Sequence, residues 1–222
     1  MSRVESVNVG RPEPNPYKPA ESTGIGKVSQ VGPIEVRSPG PKHRGLGSGV
    51  VGDHIGDIRH HGGDDQAVYA FRREDLDRWE VHLGRALPSG SFGENLTTLD
   101  IDINESRLGE RWRVGGELEL EIMSPRIPCS TFRGWMQETG WLKTFTADAR
   151  PGSYLRVVRP GWISAGDSIE TLYVPDHNVT ISMTFRALTT EPGLLSKLLP
   201  AGDHLSSELR SRVTRQRTFS LG

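Results

Sequence analysis

The chain has 222 residues and a formal net charge of -1, and 34% of its residues are hydrophobic and 25% charged. This balance supports a packed core, excludes wholesale disorder and leaves no overall charge to attract nucleic acid or an anionic membrane. No apolar run approaches the roughly 20 residues that span a bilayer, and the N-terminus lacks the apolar core of a signal peptide, so we expect a cytoplasmic protein with neither nucleic-acid nor membrane partners.

The N-terminal part of the chain is predicted to consist of short strands and turns. Residues 4–10 alternate apolar and polar side chains, which predicts a strand, and residues 28–38 predict a further strand or hairpin. Two glycine-rich loops, 22–27 and 39–49, carry basic side chains. The 26 glycines and 15 prolines favour a strand-rich protein over a helical bundle.

Helical patterns are interspersed with strands in the middle of the chain. Residues 73–87 have apolar side chains at helical spacing behind an acidic first turn, and residues 130–149 are also helical in pattern. Residues 117–123 alternate as a strand, and residues 152–174 return to strands around turn glycines. Many short strands with few helices predict a mixed α/β fold dominated by a closed or nearly closed β-barrel, with helices as excursions.

The composition changes after Pro175, where three short helical runs follow one another. We therefore predict a barrel domain at 1–175 and a three-helix domain at 176–222. The last run is basic, with Arg210, Arg212, Arg215 and Arg217. Exposed charge of one sign steers an oppositely charged partner, so the three-helix tail, roughly residues 178–222, is predicted to be a docking module for an acidic redox partner instead of part of the active site. A solvated helix face is the open alternative.

Residues 54–66 gather histidines, carboxylates and glycines. Imidazole and carboxylate together suit zinc or iron, although the spacing fits no standard zinc motif. Gly62 and Gly63 equally suit a tight turn with positive φ. We favour a site for a polar, anionic ligand that involves Arg59, His60 and His61, because histidine N–H groups and glycine amides are good anion donors.

Two further stretches carry candidate polar contacts. In the first, Glu94 and Asn95 lie between apolar neighbours, so they face a pocket or close a local turn; Asn95 offers both a donor and an acceptor for a heterocycle edge. In the second, STGIGK, Lys27 follows a glycine-rich loop that lacks the spacing of an NTPase phosphate loop. We interpret this loop as one more anion contact.

Cys129 is the sole cysteine in the sequence, which excludes an intramolecular disulfide and fits a reducing compartment. A lone cysteine is commonly a small buried hydrophobe. Here Arg126 and Arg133 flank it, and it leads into a predicted helix. Nearby guanidinium charge and a helix N-terminus both favour the thiolate, which is a nucleophile and a soft-metal ligand.

These stretches occur together and in a specific order: STGIGK, GDHIGDIRHHGGDDQAVYAF, FGENLTT and SPRIPC. In that order they resemble the MOSC domain proteins, named for the C-terminal domain of molybdenum cofactor sulfurase. Among these proteins the chain is similar to the stand-alone bacterial type that has a three-helix tail and confers hydroxylaminopurine resistance. The longer basic loop at 39–49 and the short tail depart from the family.

The resemblance implies a β-barrel fold, the molybdenum cofactor (molybdopterin), and reduction of N-hydroxylated compounds with electrons from a separate reductase. It implies Cys129 as the metal ligand, with His60, His61 and Asn95 at the reacting centre. The residues with the chemistry to hold the cofactor are Lys27, Arg59, His61, Gly62, Gly63, Gln66, Glu94, Asn95 and Arg126. On this interpretation Gly62 and Gly63 allow the backbone to approach the cofactor closely.

Two other interpretations stay open at this point. A sulfur carrier would hold persulfide on Cys129 for metal–sulfur assembly, and a thiolate-favouring environment serves it equally well. A structural or interaction protein would bind neither metal nor pterin. The sequence leaves the substrate, the electron donor and the oligomeric state undetermined, a homodimer included.

Overall fold

The computed structural model describes residues 1–18 and 22–219. The strands in these residues are β1 (Arg3–Gly10), β2 (Glu13–Pro14), β3 (Ser22–Thr23), β4 (Lys27–Ser29), β5 (Ile34–Val36), β6 (Val68–Arg72), β7 (Leu96–Leu99), β8 (Arg111–Val114), β9 (Leu118–Pro125), β10 (Ser153–Arg159), β11 (Gly161–Ile163) and β12 (Ile169–Tyr173). The α-helices are α1 (Arg73–Leu83), α2 (Ser130–Met136), α3 (Trp141–Asp148), α4 (Ile181–Leu188) and α5 (Ser207–Thr214), and 3-10 turns occupy Asp64–Gln66 and Pro192–His204.

Eight strands form one sheet in the order β12-β8-β9-β10-β6-β7-β1-β4, with β6 and β7 parallel. The sheet curls until the segment that enters β12 returns to β1. There the Val4 amide donates to the Asp167 carbonyl at 2.8 Å, and the Ile169 amide donates to the Ser2 carbonyl at 2.9 Å. The predicted mixed α/β fold dominated by a barrel is therefore confirmed.

Local chemistry explains where several predicted elements end. The helix predicted at 73–87 stops at Leu83 because Gly84 takes a left-handed conformation. The helical run 130–149 divides into α2 and α3 where Gln137 and Gly140 both have positive φ. For residues 28–38, the alternative of a hairpin is wrong. The two strands in this range do not pair with each other, because β4 pairs with β1 whereas β5 pairs with β11.

Two hydrophobic clusters hold the barrel and its helices together. The larger cluster fills the barrel and continues into the C-terminal helices. The second is mainly aromatic and packs α1, α2 and α3 against the sheet, with the rings of Phe92 and Phe132 in edge contact with each other and with those of Trp141 and Phe145. Each such buried ring stabilises the fold by roughly 1.5–3 kcal/mol. This packing fixes the start of α2 beside the end of β9.

The C-terminal segment packs against the barrel. Ile181, Phe185 and Leu188 of α4 are fully buried, and the larger cluster includes residues of the barrel and of all three C-terminal helical segments. The predicted boundary at Pro175 stays a prediction. In residues 1–18 and 22–219 no helix combines the length and the apolar character that crossing a membrane requires.

Candidate active site

The site is organised around Cys129, in the short connection between β9 and α2. Pro125 ends the strand, and Cys129 is the residue immediately before α2, with an extended backbone. Its side chain is partly buried. Phe132 of α2 belongs to the aromatic cluster and Cys129 packs against that cluster, so packing positions the thiol.

Two positive or proton-donating groups favour the thiolate of Cys129. Burial raises its pKa, but a hydrogen bond with His61 and the charge of Arg126 more than compensate, and the pKa falls to about 5. Arg126 is itself buried, with its guanidinium 4.3 Å from the centre of the Phe132 ring and 5.8 Å from that of Tyr69. Cys129 is therefore a thiolate at neutral pH. Of the two flanking arginines considered from the sequence, Arg126 contributes to this pKa, whereas the largest lowering comes from the distant His61.

Tyr154 of β10 completes this group of side chains. Its hydroxyl lies 3.5 Å from His61 Nδ1, at the limit of a hydrogen bond. Burial raises the pKa of Tyr154, and the neighbouring Arg126 only partly opposes that rise. The tyrosine is thus a neutral hydroxyl, and together with His61 it places exchangeable protons beside a thiolate.

Two cavities meet at this group. The smaller has a volume of about 100 Å³ and the larger about 680 Å³. Both are lined by Cys129, His61, Tyr154 and Gln66. The thiolate is therefore reachable from two sides.

Most of the predicted cofactor contacts come together at the smaller cavity. Its lining includes Lys27, His61, Gly62, Gln66, Asn95 and Arg126. Lys27 is ion-paired with Asp53, and both side chains are almost completely buried. The Asn95 side chain uses both of its donors within the protein: its nitrogen donates to Asp53 at 2.9 Å and to the Asn8 carbonyl at 3.3 Å, and its oxygen accepts from the Tyr69 amide at 3.1 Å. Asn95 and Asp53 therefore position Lys27 instead of offering a free amide to a ligand.

Gln66 has a polar atom that the protein leaves unpaired. Its Oε1 is buried and has no hydrogen-bond partner, although its residue lines both cavities. A buried acceptor without a donor costs about 1–3 kcal/mol. An N–H or O–H group of a ligand beside Cys129 would satisfy it.

Three predicted contacts lie at the larger cavity alone: Arg59, His60 and Gly63. The His60 side chain is 68% exposed, and its Nδ1 lies 2.9 Å from Asp57. Burial raises the pKa of Asp57, but its hydrogen bonds with Lys18 and His60 hold it well below its usual range. His60 is thus held by a carboxylate, whereas its neighbour His61 faces the thiol.

The glycine pair has the predicted backbone conformation but a different neighbour. Gly62 and Gly63 have φ of 83° and 81°. A Cβ at Gly62 would lie 2.7 Å from the Gly47 carbonyl oxygen, and one at Gly63 would lie 2.6 Å from Lys42 Cα. The close approach that requires glycine here is therefore to the basic loop of the same chain. Gly62 also lines both cavities and Gly63 the larger one, so their contact with the cofactor stays a prediction.

Glu94 has a structural role in place of the predicted cofactor contact. It lines neither cavity, and its carboxylate accepts hydrogen bonds from the amides of Gly90 at 2.6 Å and Phe92 at 3.0 Å and from the Thr97 hydroxyl at 3.0 Å. Burial raises its pKa. Glu94 closes the turn that leads into β7.

The zinc or iron alternative finds no support in the part of the chain that the structure describes, where no group of three or more histidine, cysteine and carboxylate side chains is placed to hold a metal. The members of the 54–66 stretch have separate partners: His54 Nε2 lies 2.8 Å from the Ser22 hydroxyl, Asp57 pairs with Lys18, and Asp65 pairs with Arg156.

Sequence reasoning missed several residues of the site. Tyr154 lies in a strand whose alternation says nothing about the thiol, and Asp53, although it lies in the GDHIGDIRHHGGDDQAVYAF stretch, was not singled out. We also expected the C-terminal segment to stay outside the site, yet its residues line the larger cavity: Leu188, Ser206, Ser207, Glu208, Leu209, Arg212 and Phe219.

Comparison with known proteins points to one family. The sequence profile described as the MOSC domain matches residues 57–170. The chain is 26% identical over 184 residues to the uncharacterized protein YflK of Bacillus subtilis, covering 82% of this chain and 79% of that protein. It is 29% identical over 132 residues to a protein of Gibberella moniliformis named a reductase, covering 58% of this chain but 23% of that protein.

The fold has a close counterpart among solved structures. The crystal structure of YiiM from Geobacillus stearothermophilus superimposes with a TM-score of 0.77, covering 97% of this chain and 99% of that one. The two sequences are 23% identical, so this likeness concerns the fold.

Proposed function

The chain belongs to the MOSC domain family, and from this premise we propose that it binds the molybdenum cofactor at Cys129 and reduces N-hydroxylated compounds. The observation that carries the proposal is the Cys129 thiolate, held by Arg126 and His61 where two cavities meet. The name of the Gibberella relative supports a reductive activity.

The residues present fit such a cofactor. A thiolate is the soft ligand that a metal of this kind requires. The unpaired Oε1 of Gln66 accepts a hydrogen bond from a heterocycle N–H, and the buried guanidinium of Arg126 favours negative charge beside it. Lys27, held by Asp53, adds a second cation in the smaller cavity.

When bound, the cofactor supplies two-electron exchange with the N–O bond. The balanced reaction converts R–NHOH, two protons and two electrons into R–NH2 and water. The chain contributes the ligand atom, Cys129 Sγ, and the protons. Tyr154 and His61 lie within hydrogen-bond reach of each other beside that sulfur, so His61 can hand a proton to the departing oxygen and recover it through the Tyr154 hydroxyl.

We propose that the electrons come from a separate reductase, as the family precedent implies. A cytoplasmic location fits a single reduced cysteine. Hydroxylaminopurine is the substrate that the family resemblance suggests.

The decisive experiment is metal and pterin analysis of the protein purified from a host that makes the cofactor. Stoichiometric molybdenum with pterin, together with dye-driven reduction of an amidoxime, supports the enzyme. Persulfide on Cys129 without molybdenum would instead identify a sulfur carrier, because the same thiolate environment serves both. If the purified protein contains no metal, no pterin and no persulfide, the result would indicate a structural or interaction protein.

A further inference from the structure

Two histidines meet where the C-terminal segment joins the barrel. The ring centres of His177 and His204 lie 5.5 Å apart, with 58° between the ring planes. His177 belongs to the connection between β12 and α4, whereas His204 ends the 3-10 segment that precedes α5. Neither ring lines the two cavities at Cys129, so the reaction proposed above does not use this pair.

The backbone around His177 holds its ring in the neutral form. Its Nδ1 accepts a hydrogen bond from the Val179 amide at 3.2 Å, so the neutral ring carries its proton on Nε2, which is buried. A second proton would lie on Nδ1, directly opposite the N–H of Val179. Burial and the charge of His204 lower the pKa of His177, and contacts with the backbone only partly oppose this change. Protonation of His177 therefore breaks a hydrogen bond and adds a poorly hydrated charge.

The side chains that face the pair from neighbouring elements do not compensate for that charge. Arg107, in the connection between β7 and β8, also lowers the pKa of His177, and its guanidinium donates to the Pro175 carbonyl at 2.7 Å. The ring of Tyr173 in β12 lies 6.3 Å from that of His204 and brings a phenol in place of a carboxylate. Protons on both histidines would thus gather three positive groups, with Arg107 as the third.

The carboxylates that are nearest to the pair in the chain are bound elsewhere or exposed. Glu110 is buried and accepts a hydrogen bond from the Trp112 indole at 2.8 Å. Asp203 is exposed and pairs with Arg210, and Asp176 is exposed as well. Solvent and salt screen exposed charges, so these carboxylates offset little of the repulsion between protonated histidines.

The helix α5 is coupled to His204. The His204 ring is seated on the barrel, because its Nδ1 lies 2.0 Å from the position that a Cβ at Gly109 would take. Arg210 of α5 donates back to the Gly202 carbonyl at 2.8 Å, which ties the residues around His204 to the helix. Leu209 of α5 lines the larger cavity. Release of His204 from the barrel would therefore shift one wall of that cavity.

We propose that His177 and His204 form a pH-sensitive joint, which fastens the C-terminal segment to the barrel at neutral pH and loosens it in mild acid. The ordinary pKa of a histidine is about 6.5. Because the docked state disfavours the proton on His177, the released segment binds more protons, and docking weakens as the pH falls below that value. Above it the joint holds fully. This inference is independent of the proposed function.

Hydrogen–deuterium exchange of the full-length protein tests the joint. Exchange is measured at pH 7.5 and pH 5.5, and each amide is corrected for its intrinsic rate at that pH. Amides of residues 192–214 report on the joint, and those of β9 report on the barrel. We expect protection in 192–214 to fall by about threefold or more at the lower pH, while protection in β9 changes little.

His177→Asn is the diagnostic variant. Asparagine does not titrate, but its side-chain oxygen can accept from the amide two residues further on, as Nδ1 of His177 does. Its protection in 192–214 should be the same at both pH values. His82→Asn, which replaces an exposed histidine of α1, is the matched control and should keep the wild-type pH dependence. Because each protein is compared with itself, packing that is lost with the ring cancels.

Three results would overturn the joint. The first is wild-type protection in 192–214 that does not depend on pH, and the second is a full acid-induced loss in His177→Asn. The third is an equal loss in β9, which would mean that acid destabilises the whole protein. His204→Gln should weaken the pH dependence, because it removes a charge that faces His177; an unchanged dependence would contradict the pairing of the two histidines.

Discussion

The hydroxyl of Tyr154 lies 3.5 Å from Nδ1 of His61. The first residue comes from β10 and the second from the loop before β6, so the barrel brings them together. His61 in turn hydrogen-bonds Cys129 and lowers the pKa of its thiol. One imidazole thus links the nucleophilic sulfur to a neutral hydroxyl, and the reactivity of Cys129 depends on that imidazole.

Replacing His61 by alanine should raise the pKa of Cys129 from about 5 toward its ordinary value. A thiol reacts as the thiolate, so alkylation of the wild type rises as pH passes its pKa and has levelled off by neutral pH, whereas the variant keeps gaining rate at alkaline pH. The pH profile of iodoacetamide alkylation measures this. His60→Ala is the matched control, because the His60 side chain is exposed and pairs with Asp57. An equal pKa shift in that control would contradict the role of His61.

The same pair tests retention of the cofactor. His61→Ala should lose molybdenum and pterin on purification with little change in thermal stability, because His61 is only partly buried beside Cys129 and lines both cavities. His60→Ala should keep more of both. A His61→Ala protein that keeps its cofactor but melts much earlier would show that the histidine is structural.

Short-range chemistry in the site was predictable from sequence. Arg126 and Cys129 are three positions apart at the start of a helix, so their influence on the thiol follows from local spacing alone. The conformation of Gly62 and Gly63 was predictable for the same reason. Their neighbours were not, because the loop that crowds them is distant in sequence, and only the fold brings it there.

Long-range placement explains the other differences. Glu94 sits between apolar residues, and sequence cannot distinguish a carboxylate that faces a cavity from one that accepts the amides of its own turn. Tyr154 reaches the thiol from another strand. Leu209 and Phe219 belong to a segment without a motif, so nothing local shows that they wall the larger cavity.

Cys129→Ser should abolish reduction of N-hydroxylated compounds and eliminate bound molybdenum, because a hydroxyl is a poor ligand for a soft metal. The fold should survive, since the substitution changes one atom of a partly buried side chain. Metal content, turnover and circular dichroism measured on the same sample check this. Full turnover with retained molybdenum would rule out Cys129 as the ligand.

Gly63→Ala should destabilise the protein by about 3 kcal/mol or more, since it combines an unfavourable φ with a backbone collision. The added Cβ would lie 2.6 Å from Lys42 Cα. Gly32→Ala is the control: its φ of 83° is equally positive, but nothing lies within 4 Å of its Cβ, so it should cost only about 1 kcal/mol. Urea denaturation compares the two, and equal losses would show that crowding at Gly63 is relieved by movement of the loop.

Glu94→Gln should destabilise the fold by about 1–3 kcal/mol without changing the pKa of Cys129. The two carboxylate oxygens accept from the amides of Gly90 and Phe92 respectively, so an amide at this position turns its NH2 group toward an N–H donor. Denaturation and the alkylation profile are measured together. A variant that stays stable but has an altered Cys129 pKa or weakened cofactor binding would show that Glu94 belongs to the site.

The basic tail is still predicted to dock the reductase, and the structure dictates how to test this. Truncation at Pro175 would uncover the core, because Ile181 and Leu188 of α4 are fully buried. Arg210 bonds to Asp203 and the Gly202 carbonyl, and Arg212 stacks on Phe219, so neither is a clean probe.

Arg215 and Arg217 are exposed and can be replaced by glutamine together without disturbing packing. Charge steering acts over a Debye length of about 8 Å at physiological ionic strength, so the double variant should lose part of its reductase-driven activity at low salt and most of its salt dependence. Dye-driven activity should be unchanged, since neither residue lines a cavity. Arg11→Gln with Arg159→Gln, two exposed arginines outside the tail, is the charge-matched control. Equal losses of reductase-driven activity in the two double variants would mean that the overall charge, and no particular surface, attracts the donor. A loss of dye-driven activity in the tail variant would place these arginines in the site itself.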